Sequence, residues 1–264
     1  MKKILIVTVL LTLFAACNNS DSTNEPSTIA DNSPKSIGYS IVRTYPHDTS
    51  SFTQGLILYK GELYEGTGEY GRSNLLKINL ANGHFDKKVP LDDKFFGEGI
   101  TILNDTVYQL TWRENTVLAY TLTDLKKVRE FKIDTEGWGI THNGEELIVS
   151  DGTSNLYYYN PSNFQLLRTQ SITEGGNLSF NLNELEYIDG YIYANQWQAP
   201  YIFKIDPGSG AIIGKIDLTD VWDRVKAKDP QADVPNGIAY DSAVHKIYIT
   251  GKRWPELYEI QLSK

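Results

Sequence analysis

The chain has 264 residues, a formal charge of −8, and 41% hydrophobic residues. That acidic balance argues against a nucleic-acid surface, which needs clustered Lys and Arg. A single Cys excludes an intramolecular disulfide and a Cys-rich zinc site.

Residues 1–16 read as an export signal. Lys2 and Lys3 precede an apolar run, residues 4–16, broken only by Thr8 and Thr12, the pattern of a secretory leader. The run ends Leu13-Phe14-Ala15-Ala16-Cys17. It resembles a bacterial lipobox, with Phe14 where Leu is usual, so Cys17 is the expected lipidation site and mature N-terminus. An ordinary signal peptide ending beside a Cys is the alternative. Cleavage would leave 248 residues and take the formal charge to −10, a length that all-β domains reach as one unit. Attached acyl chains would contribute roughly 0.8 kcal/mol per buried CH₂, and more than one gives stable anchoring. The expected location is therefore a bacterial membrane, with the protein held by lipid on its periplasmic or cell-surface side. No apolar run is long enough to span a bilayer as a helix. Residues 17–36 form the lipidated Cys and a polar spacer whose only apolar residues after the Cys are Ile29 and Ala30. Such a segment is expected to be disordered, leaving residues 37–264 as the folded domain.

The folded part repeats. With 17 Tyr, 9 Phe, 5 Trp and 21 Gly, it favours short strands and turns over helices. Each unit opens on a Gly followed by an aliphatic residue: Gln54-Gly55-Leu56, Glu98-Gly99-Ile100, Trp138-Gly139-Ile140 and Asn236-Gly237-Ile238. In the remaining unit, Asn183-Glu184-Leu185-Glu186, we align Leu185 with the Gly. The anchors then lie 44, 40, 46 and 52 residues apart. Periods of about 40–50 residues, with several strands each, predict a five-bladed β-propeller of the all-β class. Second strands are expected at 61–64, 106–108, 146–149, 191–193 and 246–249, and third strands at 75–78, 117–120, 156–159, 201–205 and 257–260. Fourth strands close most units, as at 88–91 and 212–216. Residues 39–45 are a spare strand, expected to complete the last blade and cover its open edge. One short inserted helix between blades 4 and 5 is predicted from Leu218, Val221, Trp222 and Val225, with Asp217 and Thr219 as candidate caps.

In a propeller the start of each first strand and the end of each second strand lie at one mouth, because the two are antiparallel neighbours. Repeat phase therefore gathers Gln54, Glu98, Trp138, Glu184 and Asn236 with Thr67, Trp112, Gly152, Trp197 and Lys252. Each also has a plain structural reading: Trp as blade packing, Lys252 as a surface residue beside Arg253, Gln54 and Asn236 as turn ties. Together they describe an aromatic box with a few convergent polar groups, the form of a small-ligand pocket. Glu98, between Phe96 and Ile100 and flanked by Gly, is the carboxylate whose pKa apolar surroundings would raise for acid–base work. The four His (His47, His84, His142, His245) show no metal-ligand spacing, and no nucleophile elbow or phosphate loop is present.

The motif set Phe52-Thr53-Gln54-Gly55, Phe96-Gly97-Glu98-Gly99-Ile100, Glu136-Gly137-Trp138-Gly139, Leu182-Asn183-Glu184, Asn195-Gln196-Trp197 and Pro235-Asn236-Gly237 resembles the plant and bacterial type of glutaminyl-peptide cyclotransferase. The likeness runs from about residue 39 to the C-terminus. It implies a five-bladed propeller that converts N-terminal glutamine of peptides to pyroglutamate and releases ammonia, without metal or other cofactor. By resemblance the active-site residues fall on Phe52, Gln54, Glu98, Trp112, Trp138, Asn183, Trp197 and Lys252, with Glu98 the acid–base residue. Glu184 and Asn236 join them as expected substrate contacts from repeat phase. A monomer without nucleic-acid partner is expected. Two rival readings are a non-catalytic propeller binding peptide ends or sugars, which would not require Glu98, and a metal-dependent propeller hydrolase or lactonase.

Overall fold

The computed structural model describes residues 33–263; the leader, Cys17 and the spacer as far as residue 32 lie outside the described residues. Among these, five sheets of antiparallel strands follow one another in chain order, each running from an inner strand outward. Blade 1 comprises Thr53–Tyr59, Glu62–Thr67, Asn74–Ile78 and Phe85–Pro90. Blade 2 comprises Gly97–Leu103, Thr106–Thr111, Thr116–Thr121 and Lys127–Lys132. In blade 3 the strands are Ile140–His142, Leu147–Ser150, Asn155–Tyr159 and Leu166–Ser171. Blade 4 is built from Leu182–Ile188, Tyr191–Gln196, Tyr201–Ile205 and Ile212–Asp217. Blade 5 is Pro235–Asp241, Lys246–Gly251 and Glu256–Leu262, closed by Tyr39–Pro46 from the start of the domain. That spare strand runs antiparallel to the third strand, from Tyr39 opposite Leu262 to Pro46 opposite Glu256. The ring is thus sealed by pairing the domain's first long strand with its last in one sheet.

Burial follows blade position. Inner strands such as Gly97–Leu103 are buried along their whole length, while the fourth strands of blades 1 to 3 are mostly exposed. Charged residues along those outer strands (Lys87, Lys88, Lys127, Arg129) discourage edge-to-edge pairing. Blade 4 differs. Its fourth strand alternates buried and exposed residues, with Ile212 and Ile216 packed into the core, and a two-residue strand, Lys35–Ser36, pairs with its edge in parallel. Those two residues were assigned by sequence to the spacer. Gly214 permits the approach, since a Cβ there would lie 2.4 Å from Ile37 Cδ1. A short hairpin, Thr173–Glu174 with Asn177–Leu178, was also unforeseen.

The helix Thr219–Lys228 lies between blades 4 and 5. Val221 and Val225 are buried and pack with Leu218 in the core shared by blades 4 and 5. The capping expectation needs correction: the N-cap is Leu218, without a side-chain cap. Asp217 instead accepts from the Thr219 N–H and hydroxyl, making a turn before the helix.

A bulge recurs at the start of the inner strand in blades 1, 2, 4 and 5, between Thr53 and Gly55, Gly97 and Ile100, Leu182 and Leu185, Pro235 and Ile238. Pairing beyond the bulge sets the true alignment: Ile100, Leu185 and Ile238 each open the regular ladder. Leu185 therefore matches the aliphatic residue, not the Gly, and our sequence alignment of that unit is one residue out. Glu184 takes the Gly position, and Asn183 takes the position of Glu98, Gln54 and Asn236. The Gly position lies where neighbouring inner strands almost touch. A Cβ on Gly55 would sit 2.4 Å from Ile100 N, and one on Gly139 would sit 2.0 Å from Asn183 O.

Candidate active site

In blades 1, 2 and 4 the bulge re-aims the residue before the Gly position, and these side chains meet Trp138 of blade 3 at one mouth of the ring. Gln54, Glu98, Trp138 and Asn183 line a pocket of about 260 Å³, together with Phe52, Phe96, Trp112, Trp197 and Lys252. All eight residues carried over by resemblance are brought together there. Phe96 lines the pocket as well, although the sequence marks it only as an apolar neighbour of Glu98. Its place two positions before Glu98, matching Phe52 before Gln54, was the available signal.

Trp112, Trp197 and Lys252 stand just beyond the ends of second strands. Each donates its backbone N–H to the residue two before the bulge position: Trp112 to Phe96 O, Trp197 to Asn181 O, Lys252 to Val234 O, at 3.0, 2.8 and 3.0 Å. Gly68 makes the equivalent bond to Phe52 O, so Gly68, rather than Thr67, occupies that place in blade 1. A Cβ on Gly68 would lie 2.4 Å from the Phe96 ring, and a larger residue would push that ring from the wall. Thr67 faces inward, accepting from Asn74 N–H. Gly152 supports the wall from behind: its φ is +80° and a Cβ would meet the Trp138 ring at 2.6 Å.

The wall is a chain of aromatic contacts. Phe96 is edge-to-face with Phe52, Trp112 and Tyr70, at centroid distances of 6.3, 5.5 and 5.4 Å. Trp138 is edge-to-face with Trp197 at 5.5 Å. Such pairs contribute about 0.5–1.5 kcal/mol beyond area burial, which favours a fixed wall over a collapsing one.

Two charges are buried within it. Glu98 is 5% exposed and Lys252 4%. Glu98 accepts no hydrogen bond from another described residue and makes no direct ion pair. Burial drives its pKa well above the ordinary carboxylate range, with Glu136 and Glu114 pushing the same way and Lys252 pulling against them. Burial also lowers the pKa of Lys252, which Glu98 and Asp233 partly hold up. The Lys252 ammonium stands 4.7 Å from the centre of the Phe52 ring, a cation–π contact that helps keep it charged in a dry place. Gln54 is oriented by Asn236, whose Nδ2 donates to Gln54 Oε1 at 3.3 Å and to Thr53 O at 3.0 Å. The Gln54 amide nitrogen is left free to donate into the pocket.

Glu184 and Asn236 are not in the lining, and the expectation that they touch substrate is corrected on geometry. Glu184 projects across the axis, where its two oxygens accept from the N–H groups of Leu56 (3.1 Å) and Ile238 (2.9 Å). Asn236 sits behind Gln54. Its Oδ1 is buried without a hydrogen-bond partner among the described residues. Among the described residues, no cluster of three or more His, Cys, Asp or Glu is placed to hold a metal ion.

The fold and pocket define a five-bladed propeller with an aromatic box around a buried Glu–Lys couple. Residues 8–262 match the model of the glutamine cyclotransferase family, and the chain belongs to that family. It is 40% identical over 228 residues to the glutaminyl-peptide cyclotransferase of Arabidopsis thaliana, covering 85% of this chain and 71% of the relative. The crystal structure of Myxococcus xanthus glutaminyl cyclase superposes with a TM-score of 0.82 at 33% identity, covering 87% of this chain and 98% of that one.

Proposed function

We propose that the pocket converts N-terminal glutamine of peptides to pyroglutamate with release of ammonia, as a glutaminyl-peptide cyclotransferase, and that Glu98 carries the proton. The single observation behind the role of Glu98 is its isolation: a buried carboxylate facing a glutamine-sized box without a hydrogen-bond partner among the described residues.

The chemistry follows from that isolation. The substrate α-amine, with a reference pKa of about 7.7–8.0, must lose a proton before it attacks. Held in the box, it lies near the Cδ of its own side chain, and ring closure needs only orientation. Nα bonds to Cδ, the Cδ–Nε2 bond breaks, and the proton lost by Nα must reach Nε2 so that ammonia leaves instead of an amide anion. A carboxyl whose pKa burial has raised can both accept and return that proton, an effect typically worth 10²–10⁴-fold. Lys252 Nζ and the free amide N–H of Gln54 donate to the side-chain oxygen as it gains charge. Asn183 binds the substrate backbone from the opposite side. The tryptophans keep water from the amide carbon.

Incubation of the purified domain with a Gln-initiated peptide, followed by mass, is the direct test. Loss of one ammonia is the expected result; replacement of the amide by a carboxyl would mean hydrolysis, and an unchanged mass with retained binding would favour a binding propeller. We propose further that the protein is exported and lipid-anchored at Cys17 on a bacterial membrane, and that it acts as a monomer. Support for the anchor comes from the lipobox-like run 13–17. Cys17→Ser should release the protein from the membrane fraction; unchanged fractionation would refute the anchor.

A further inference from the structure

One junction in the pocket wall is not aromatic. The ring contacts run from Phe52 through Phe96 to Trp112 on one side, and from Trp138 to Trp197 on the other. Between Trp112 and Trp138 stands Glu136, on the connection between blades 2 and 3. Its Oε2 accepts from both indole N–H groups, Trp112 Nε1 at 2.8 Å and Trp138 Nε1 at 3.1 Å. Its Oε1 accepts from Arg113 Nε at 3.3 Å, and the Arg113 guanidinium lies 3.9 Å over the Trp112 ring. One carboxylate thus fixes the tilt of two rings from two blades, and one arginine braces both the carboxylate and a ring. Without it, neither indole N–H has a partner among the described residues, and each ring is held by packing alone.

We propose that Glu136 is a positioning residue that clasps Trp112 and Trp138 and so sets the width of the glutamine box. This rests on the pocket being the cyclisation site. A second rim carboxylate acts alike one blade earlier: Glu114 accepts from the Tyr70 hydroxyl at 2.9 Å and from Phe96 N–H at 3.3 Å, and Tyr70 packs on Phe96. The charged groups acting on Glu98 are Lys252, Glu136 and Glu114. The clasp therefore also adds negative charge near the proton carrier.

The two indole bonds are charge-assisted, which makes them stronger than neutral ones. Because the walls touch the ground state and the transition state alike, their loss should fall on KM. Glu136→Ala is expected to raise KM for a Gln-initiated peptide by about tenfold or more, to leave kcat within about threefold, and to shift the intrinsic tryptophan emission. Glu136→Gln, whose amide oxygen can still accept both indole N–H groups, should restore KM and emission toward wild type. It should also move the acidic limb of the kcat–pH profile downward, since a negative charge near Glu98 is gone. Glu136 is partly exposed, so both variants should fold, and melting temperature checks it. The proposal is overturned if Glu136→Ala leaves KM and emission unchanged, or if Glu136→Gln is as impaired in KM as Glu136→Ala. Wild-type protein that does not cyclise peptides would sink the activity itself, and the emission comparison would still test the clasp.

Discussion

Blades 2 and 4 begin with nearly the same device and use it in opposite ways. In blade 2 the bulge reads Gly97-Glu98-Gly99-Ile100; in blade 4 it reads Leu182-Asn183-Glu184-Leu185. Each places one carboxylate at the heart of the ring, one residue apart in phase. Glu98 occupies the position that turns into the pocket, and its Gly neighbour lets the inner strands touch. Glu184 occupies the Gly position itself, and its carboxylate replaces that touch by accepting two backbone N–H groups of blades 1 and 5. Burial pushes both pKa values up, assisted at Glu184 by Glu186. The difference is in partners. A buried carboxylate satisfied by fixed N–H donors holds a fold together, whereas one facing a cavity without donors is free to exchange a proton.

Exchanging each carboxylate for its amide isostere is the sharpest way to break this contrast. Glu98→Gln should lower the rate of pyroglutamate formation by roughly 10²-fold or more while peptide binding is largely kept. Its melting temperature should hold or rise, because a group whose charged form is penalised by burial has been neutralised. Near-normal turnover in this variant would end the proton-carrier role. Glu184→Gln should show the reverse pattern. Whichever way the amide turns, one N–H donor then faces an NH₂, and leaving a buried donor unsatisfied costs about 1–3 kcal/mol. The expected outcome is a lower melting temperature with a much smaller loss of turnover. If Glu184→Gln abolished cyclisation and Glu98→Gln did not, the two roles would have to be exchanged.

Blade 5 offers a smaller version of the same comparison. Asn236 holds the bulge position of Glu98 yet never reaches the pocket, because its amide is spent on Thr53 O and Gln54 Oε1. Asn236→Ala should free the Gln54 side chain to turn. We expect a kcat loss of about tenfold, the scale of one misdirected neutral hydrogen bond at about 0.5–1.5 kcal/mol, with the aromatic box intact. Unchanged kcat would mean that Gln54 is held by other means or contributes no donor.

Much of this was legible in the chain. The five units, the spare strand 39–45 and the inserted helix all came from spacing and periodicity, since each blade must bury the same inner face. Ten ring positions followed from antiparallel pairing, and six of them (Gln54, Glu98, Trp112, Trp138, Trp197 and Lys252) reached the lining. What failed was phase. A bulge adds a residue without leaving a mark in composition, so aligning Leu185 with Gly moved Glu184 into the pocket and hid Asn183 from the repeat argument. A one-residue slip exchanges the two faces of a strand; only the motif resemblance kept Asn183 in view. Hydrogen-bond partners such as Glu136 were equally invisible, because two indoles 26 positions apart share a carboxylate only after the blades have closed.

A third buried carboxylate, Glu65, shows what happens when the partner itself titrates. It accepts from Thr53 Oγ1 at 2.6 Å and Ser51 Oγ at 3.1 Å, and faces His47 Nε2 at 3.2 Å. The other ring nitrogen, Nδ1, lies 2.7 Å from Trp254 O. Both nitrogens face acceptors, so the ring is best satisfied when it carries both protons. Burial opposes that charge, but Glu65, the Trp254 carbonyl and Asp48 outweigh it and leave the His47 pKa above its ordinary value. The site ties Ser51 and Thr53 of blade 1 to the Gly251–Trp254 turn of blade 5, directly behind Phe52 and Lys252. The sign of the linkage follows. With the folded pKa above the unfolded one, the protonated His47 contributes its full stability below about pH 6.5, and the contribution is lost as pH rises through the folded value. His47→Gln can still donate to only one of the two acceptors. Its melting temperature should therefore fall furthest below wild type at about pH 6, and the gap should narrow by about pH 9. A gap that is constant or widens with pH would show that His47 is neutral in the fold and that packing alone explains the loss.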